Sequence, residues 1–312
     1  MIFMRYIALV SLSIACYVLS TLSANAQVYN YADGEGPTPP DSVKGIYFGL
    51  NIGMYFANEA TSGIYSGYGY QRDGVLNNFS NSWLNQAIQG SPQAEDRTTR
   101  AMGTDPDGWA FNESDMPGLM TFNPAFMWAG HIRFMFNADF GIFAEVGGAN
   151  PVAVGEFTIQ NLNPSADPLQ NQRLRRFGIR GEEERLFVNI GMHKVLLRES
   201  LEKQGKSTTI LPYVDLGFNM TFTKFEANFI NLETEGTVDL TNFFNRQGQF
   251  INDANLLTGA GFGGFGGVGA QVTLGSKFTL NFGYVASLEQ IKLGEVNERA
   301  IQHHIVLKAI YM

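Results

Sequence analysis

The most constraining feature of this chain is a strict alternation between residues 46 and 56, which read IYFGLNIGMYF. Every even position carries a large apolar side chain, and every odd position is Tyr, Gly or Asn. Because successive side chains of a β-strand point to opposite faces, this stretch predicts a strand with one apolar and one small, polar face. The pattern recurs in eight segments, which favours an all-β fold.

The first 26 residues have the three regions of a secretory signal. Arg5 provides the positive charge, residues 6–15 are largely apolar, and Ala24-Asn25-Ala26 forms a small-x-small cleavage site. We therefore expect a cleaved signal peptide over 1–26. A lipoprotein signal that uses Cys16 is the alternative, although the residues before Cys16 fit a lipobox poorly.

Composition excludes several classes of protein. Cys16 is the only cysteine, so the mature chain is expected to have neither disulfides nor a thiolate metal site. The net charge of −8 becomes −9 when the signal is removed with Arg5, which argues against a nucleic-acid partner. No run of 18 apolar residues follows the signal, so the sequence predicts no transmembrane helix.

The eight segments are separated by connections that alternate in length. The predicted strands cover residues 46–56, 124–136, 140–159, 183–198, 208–227, 257–274, 278–291 and 299–311. Short turns follow the second, fourth and sixth strands, and long loops follow the first, third and fifth. This alternation predicts a single antiparallel up-and-down transmembrane β-barrel of eight strands, with long extracellular loops and short periplasmic turns.

The predicted organisation follows from that barrel. A periplasmic tether covers 27–44, and the outer-membrane barrel covers 45–312, with a long first loop at 58–123 and a third loop at 228–256. An even number of strands places both termini in the periplasm.

Polar side chains on the inward face are expected to seal the barrel, because an eight-stranded barrel is nearly filled by its side chains. This predicted interior polar cluster comprises His131, Arg133, Glu145, His193, Asp215, Asn219, His304 and Lys308. Charges in a confined interior must be paired, so we expect a His131–Arg133–Glu145 group and a second pair, Asp215–Lys308. A proton- or ion-conducting path is the alternative interpretation.

The signal, the eight alternating strands and a last strand with Tyr311 as its penultimate residue resemble small outer-membrane barrels of the OmpA/OmpX class from Gram-negative bacteria. The long first loop and the glycine-rich strands are similar to barrel proteins of Bacteroidetes, including the PorT and PorG types. That resemblance implies an accessory role in a secretion machinery.

Motifs that could carry chemistry have simpler structural interpretations. Residues 261–266 match G-x-G-x-x-G, but the alternation continues through them, so a strand is favoured over a dinucleotide loop. His303 is the only histidine expected to face lipid, and no serine is placed beside it. Acidic residues between Asp105 and Asp115 could bind calcium, although their spacing does not match an EF-hand. We predict no catalytic residue, cofactor or metal.

The first loop is the largest segment outside the predicted membrane region. Its acidic residues outnumber its basic ones eight to three, and it contains several aromatic residues and a predicted helix from Ser80 to Gln89. A loop of this length is seldom without a role. We expect either a self-packed cap or a surface for a partner, with the third loop packed against it.

These observations predict a non-enzymatic, porin-like protein of the cell envelope with a structural or partner-binding role. Its expected partners are outer-membrane lipid and a protein bound through the first and third loops or the tether. A narrow channel or a port for small apolar molecules is the alternative, and a lipid-modifying enzyme is a third possibility.

Overall fold

A computed structural model of the chain describes residues 44–70, 75–163, 173–197, 210–241, 257–274, 278–294 and 296–311. All of them belong to the compact unit Ser42–Met312. The predicted signal peptide and nearly all of the predicted tether lie outside the described residues. No helix in the described ranges is long and apolar enough to cross a membrane.

Twelve antiparallel strands in one sheet account for most of the described residues, which confirms the predicted all-β antiparallel class. The strands are β1 (Gly45–Phe56), β2 (Trp109–Ala110), β3 (Thr121–Asn123), β4 (Ala125–Met135), β5 (Phe140–Ala149), β6 (Val152–Asn161), β7 (Leu174–Val195), β8 (Ile210–Asn231), β9 (Thr237–Asp239), β10 (Thr258–Leu274), β11 (Phe278–Leu293) and β12 (Val296–Tyr311).

The helical segments are short. The α-helices are α1 (Trp83–Gln89) and α2 (Pro92–Met102), and the 3-10 helices are Glu59–Tyr65, Phe79–Asn81, Glu113–Asp115 and Glu233–Glu235. All but the last lie in the connection between β1 and β4.

The strand pairings return to the strand at which they begin. β1 pairs with β4, and the pairings continue through β5, β7, β8, β10, β11 and β12, which pairs with β1 again. The remaining four strands are additions to this series. β6 continues β5 along β7, β2 and β3 pair with β6, and β9 pairs with β8.

The predicted strand at 140–159 consists of β5 and β6, with Asn150 and Pro151 between them. Proline has no N–H to donate to the ladder, so pairing is interrupted there. The Pro151 carbonyl still accepts from the Glu183 N–H at 3.1 Å. The register along β7 is unchanged across the interruption, so the two strands follow one line.

The two central strands are longer than predicted. β7 begins at Leu174 and β8 ends at Asn231, and each has 22 residues. A tilted strand needs about 9–11 residues to cross a membrane. The alternation between faces therefore continues well beyond the length required for a crossing.

A bulge in β8 interrupts the pairing of β7 with β8, between Glu182 and Glu183 of β7. Glu182 pairs with Ala227 and Glu183 with Phe225, which leaves Glu226 without a position in the ladder. One extra residue reverses the faces that follow, so that Phe225 and Asn228 are both buried.

The outward faces of the eight strands in the closed pairing series are apolar and exposed, and the predicted faces of β1 are confirmed. Leu50, Phe218 and Phe262 expose 67%, 78% and 66% of their surface. Other exposed members of this outer band are Ile52, Met54, Phe126, Trp128, Ile132, Ile142, Val146, Ile190, Met192, Leu216, Phe222, Val268, Phe282, Leu288, Ile301, Ile305 and Leu307.

The two ends of these strands differ. At one end, Gly45 pairs with Met135 and Phe48 with Tyr311, close to the turn at 136–139. The Asn137 carboxamide oxygen accepts from the backbone N–H of Asp139 and of Phe140 at 2.9 Å each, which closes that tight turn. We call this end the turn rim.

The other end carries a folded cap, formed by the described residues of the connection at 57–124. Its apolar core joins cap residues to β6, β7 and β8. The core includes Tyr65, Trp83, Leu84, Ile88, Trp109, Phe111, Phe157, Phe177, Ile179, Phe225 and Ile230. The third loop packs against the cap as predicted, through Leu232 and Leu240, whereas its Phe243, Phe244 and Phe250 lie outside the described residues.

The predicted start of the cap helix at Ser80 is wrong. Ser82 is the N-cap of α1, and its hydroxyl accepts from the Asn85 N–H at 3.1 Å. Ser80 instead provides a carbonyl that accepts from the Gln86 side chain at 2.7 Å. Two serines lie within one turn of the helix start, so the sequence alone did not distinguish them.

Candidate functional site

The eight residues of the predicted interior polar cluster are all buried, with exposed fractions of 7% or less. They lie on the inward faces of β4, β5, β7, β8 and β12. Two separate networks involve them, one in the part of the strands nearer the turn rim and one closer to the cap.

Lys308 joins the two predicted groups into one network. Its Nζ donates to Glu145 Oε1 at 2.8 Å and to Asp215 Oδ2 at 3.0 Å. Since Glu145 lies on β5 and Asp215 on β8, this ammonium group links three strands across the interior. A buried cation shared between two carboxylates offsets part of the cost of removing all three charges from water.

Each carboxylate also has a histidine partner. His131 Nδ1 is 2.9 Å from Glu145 Oε1, and His193 Nδ1 is 2.6 Å from Asp215 Oδ1. His193 Nε2 lies 3.2 Å from Gln271 Oε1. A carboxylate only accepts hydrogen bonds, so we assign a proton to Nδ1 of both rings. The network therefore runs unbroken from His131 to His193.

Arg133 belongs to the predicted His131–Arg133–Glu145 group, but within the described residues the ion-pair partners of Glu145 are His131 and Lys308. Arg133 pairs with Tyr47 and Phe143 in the ladder, and its Nη2 donates to the Asn281 amide oxygen at 3.3 Å when that amide is turned. Lys308 occupies the position beside Glu145 instead. Register explains the difference, because Glu145 lies directly opposite His131 and only diagonally from Arg133.

A further ion pair at the cap end was not predicted. Arg185 Nε donates to Glu183 Oε1 at 2.5 Å, and Arg185 Nη1 donates to the Tyr55 hydroxyl at 2.7 Å. Both charged residues are buried on β7. The alternation of β7 extends through these positions, which is the signal in the sequence that could have identified them.

This ion pair, which we call the seat, also holds the cap. Thr61 donates to Glu183 Oε2 at 2.8 Å and accepts from Arg185 at 3.2 Å, and the Tyr65 hydroxyl donates to Glu183 Oε2 at 3.2 Å. Thr61 and Tyr65 belong to the first 3-10 helix of the cap. Burial, with the Glu183 carboxylate as a second cause, raises the pKa of Tyr65 well above its ordinary value, while Arg185 opposes the shift. Tyr65 therefore remains a neutral donor.

His304 and Asn219 lie near another buried carboxylate, Glu289. His304 Nε2 is 3.2 Å from the Ser287 hydroxyl and 3.7 Å from Glu289 Oε1. Thr221 donates to Glu289 Oε2 at 3.0 Å, and the Asn219 amide is 3.5 Å from the Thr221 hydroxyl. These contacts brace β8, β11 and β12 against one another.

Aromatic rings lie over glycines of the inner wall. A Cβ atom on Gly217 would be 2.7 Å from the Phe265 ring, and one on Gly283 would be 2.2 Å from the Tyr213 hydroxyl. The residues of the G-x-G-x-x-G match are all in β10, so the strand interpretation is confirmed and a dinucleotide loop is excluded. The glycines make room for interior rings.

The structure also shows where the remaining motifs lie. The Asp115 carboxylate accepts from Thr158, from Gln160 and from the Asn112 N–H, so it braces the cap against β6. No group of His, Cys, Asp and Glu that could hold a metal is present in the described part of the chain. His303 faces outward, as predicted, beside Tyr284.

Comparison with known proteins gives weak likenesses in structure alone. No family model matches the chain, and no curated protein matches its sequence. The fold is similar to Neisserial surface protein A, at 6% identity and a TM-score of 0.38 over 85% of this chain and 96% of that one.

Two further solved structures are similar in the same way. The outer membrane protein OprG from Pseudomonas aeruginosa shares 10% identity at a TM-score of 0.32, covering 86% of this chain and 94% of OprG. The outer membrane protein AlkL shares 12% identity at a TM-score of 0.30, covering 91% and 96%. Values this low carry no information about what this chain binds or does.

Proposed function

We propose that this chain is a non-enzymatic outer-membrane β-barrel protein of eight crossing strands, sealed by its own side chains, with a structural or partner-binding role. The supporting observation is the distribution of side chains. Exposed Leu, Ile, Phe and Trp cover the outward faces, whereas Lys308, Glu145 and Asp215 are buried inside. A water-soluble protein seldom exposes apolar surface on this scale, and an outer-membrane barrel requires it.

The proposed orientation places the turn rim in the periplasm and the cap outside the cell. Short turns belong to the periplasmic side of such barrels, and long connections belong to the outer side. The start of β1 and the end of β12 then lie at the periplasmic rim.

The paired interior favours a sealed barrel over the alternative of a channel. Lys308 is held by two carboxylates, and each of these has a histidine partner. A permeating ion would have to displace these contacts or compete with them. The channel alternative makes the opposite prediction in the experiment below.

The test combines two measurements on protein refolded into detergent and lipid. We expect a β-dominated circular dichroism spectrum, with gel migration that shifts on boiling, and no conductance steps in planar bilayers. A helical spectrum or unshifted migration would contradict the barrel. Discrete conductance in the wild type would replace the sealed barrel with the channel.

For the partner-binding role we propose the cap as the contact surface, within an envelope or secretion complex. The supporting observations are Leu119, which exposes 81% of its surface on the cap, and the exposed acidic residues Asp105 and Asp107 elsewhere on the cap. Affinity capture from native membranes should return a partner in stoichiometric amount. The variant Leu119→Ser with Asp107→Asn should lower that yield several-fold, and equal yields would argue against this surface.

A further inference from the structure

The outer face of β11 and β12 carries a polar pair within the apolar band. The Tyr284 hydroxyl is 2.6 Å from His303 Nδ1, and the two rings stack at 5.8 Å between centroids and 20° between planes. Both side chains are exposed, and Ile301 and Ile305 on either side of His303 are exposed as well. An ionisable side chain that faces lipid is costly and rare, so its presence points to a ligand.

Two cations lie on the same two strands, closer to the cap. Lys292 and Arg299 are exposed, and in the ladder Lys292 is opposite Asn297 while Arg299 is opposite Gln290. The Gln290 amide donates to the Asn297 amide oxygen at 2.8 Å. This bond holds in place the two polar side chains that lie beside the cations.

The described residues do not neutralise the charge at this position. Across the described ranges, no carboxylate forms an ion pair with Lys292 or Arg299. Glu298 is adjacent in sequence, but it pairs with the buried Ile291 and so lies on the other face of the strand. Two adjacent cations without acidic partners are complementary to a phosphate group.

The separation between the cations and the polar pair matches the distance between the phosphate and the ester carbonyls of a lipid. Arg299 and His303 are four residues apart, which is about 13 Å along a strand and about 10 Å along the membrane normal at the usual tilt. A long arginine side chain covers part of that distance when it extends along an apolar surface. A phosphate near Lys292 and Arg299 would therefore place the ester carbonyls of its acyl chains close to His303.

We propose that the outer face of β11 and β12 binds one phosphorylated lipid of the leaflet on the cap side. Lys292 and Arg299 hold the phosphate. Tyr284 donates to His303 Nδ1, so the proton of the imidazole is on Nε2, which donates to an ester carbonyl of the lipid. This inference rests on the proposed placement in the outer membrane.

The test is native mass spectrometry of the refolded full chain with two probes, lipid A that carries two phosphates and the same lipid without phosphate. Wild type should retain one copy of the phosphorylated probe about tenfold more than the other, since charge-assisted contacts are lost without phosphate. The double variant Lys292→Gln, Arg299→Gln should abolish that preference. His303→Phe should lower retention of both probes.

The matched control is Lys194→Gln, which removes an exposed cation at the turn rim and should leave the preference unchanged. Equal retention of the two probes by wild type, or a preference that survives in the double variant, would overturn the site. Gel migration that shifts on boiling is measured for each protein. Its loss in wild type would contradict the barrel itself and not the lipid site.

Discussion

At the scale of single residues, Lys308 is the cation that two buried carboxylates share. It is buried on β12 and holds carboxylates from β5 and β8. Removal of its charge would leave Glu145 and Asp215 in a confined interior without their shared cation. Loss of one partner from a buried ion pair is much more damaging than replacement of the whole group by neutral residues.

We therefore expect Lys308→Met to lower the free energy of unfolding by about 3–5 kcal/mol. The triple variant Lys308→Met, Glu145→Gln, Asp215→Asn should regain at least half of that loss, because no buried charge remains unpaired. Urea denaturation in micelles, followed by tryptophan fluorescence, measures both. Lys194→Met, at an exposed position, is the control and should change little. A triple variant as unstable as the single one would contradict this account.

Which face each residue occupies was predictable from the sequence, since the period of two in β1 and β4 assigns faces directly. Which charges meet was only partly predictable. His131 and Glu145 lie across one tight turn, so local register predicts their contact. Lys308 meets Glu145 and Asp215 only because distant strands close on one another, and no local pattern encodes that register.

At the scale of elements, the cap depends on a close contact between its first 3-10 helix and β7. Gly181 lies beneath the Tyr65 ring, where a Cβ atom would be 2.0 Å from Tyr65 Cδ1. The three nearest atoms to that position all belong to Tyr65. A side chain at 181 would therefore displace Tyr65.

We expect Gly181→Ala to displace Tyr65 and to loosen the cap at a cost of about 1–3 kcal/mol. Limited proteolysis should then cut the connection between β1 and β4 several-fold faster than in wild type. The double variant Gly181→Ala, Tyr65→Ala removes the clash, so the two changes should be less than additive. Strictly additive effects on the cleavage rate would argue that the two residues do not press on each other.

The cap-side ends of β7 and β8, residues 174–182 and 228–231, were missed from the sequence for a physical reason. The outward positions there are charged, as at Arg180 and Glu182, so the apolar signal used to find strands disappears although pairing continues. Cap elements such as β2 and β3 have only two or three residues, too few to show a period.

At the scale of the whole molecule, the single cysteine of the sequence, Cys16, lies within the predicted signal peptide, so orientation can be measured by single cysteine substitutions. We expect Asp107→Cys, in the cap, to react with a membrane-impermeant maleimide on intact cells. Ala138→Cys, at the turn rim, should react only after the outer membrane is opened. The reverse pattern would contradict the proposed orientation, and labelling of lysed cells verifies that both thiols are reactive.

The pairing of β1 with β12 has a consequence for how the chain folds. Phe48 pairs with Tyr311, so the first strand can complete its ladder only after the last strand has been synthesised. Contacts between residues so distant in sequence slow folding, because the entropy of closing the intervening chain is lost before the contact forms. Until this ladder closes, the backbone groups of both edge strands are unpaired and can pair with another chain. The chain is therefore most prone to aggregation before closure.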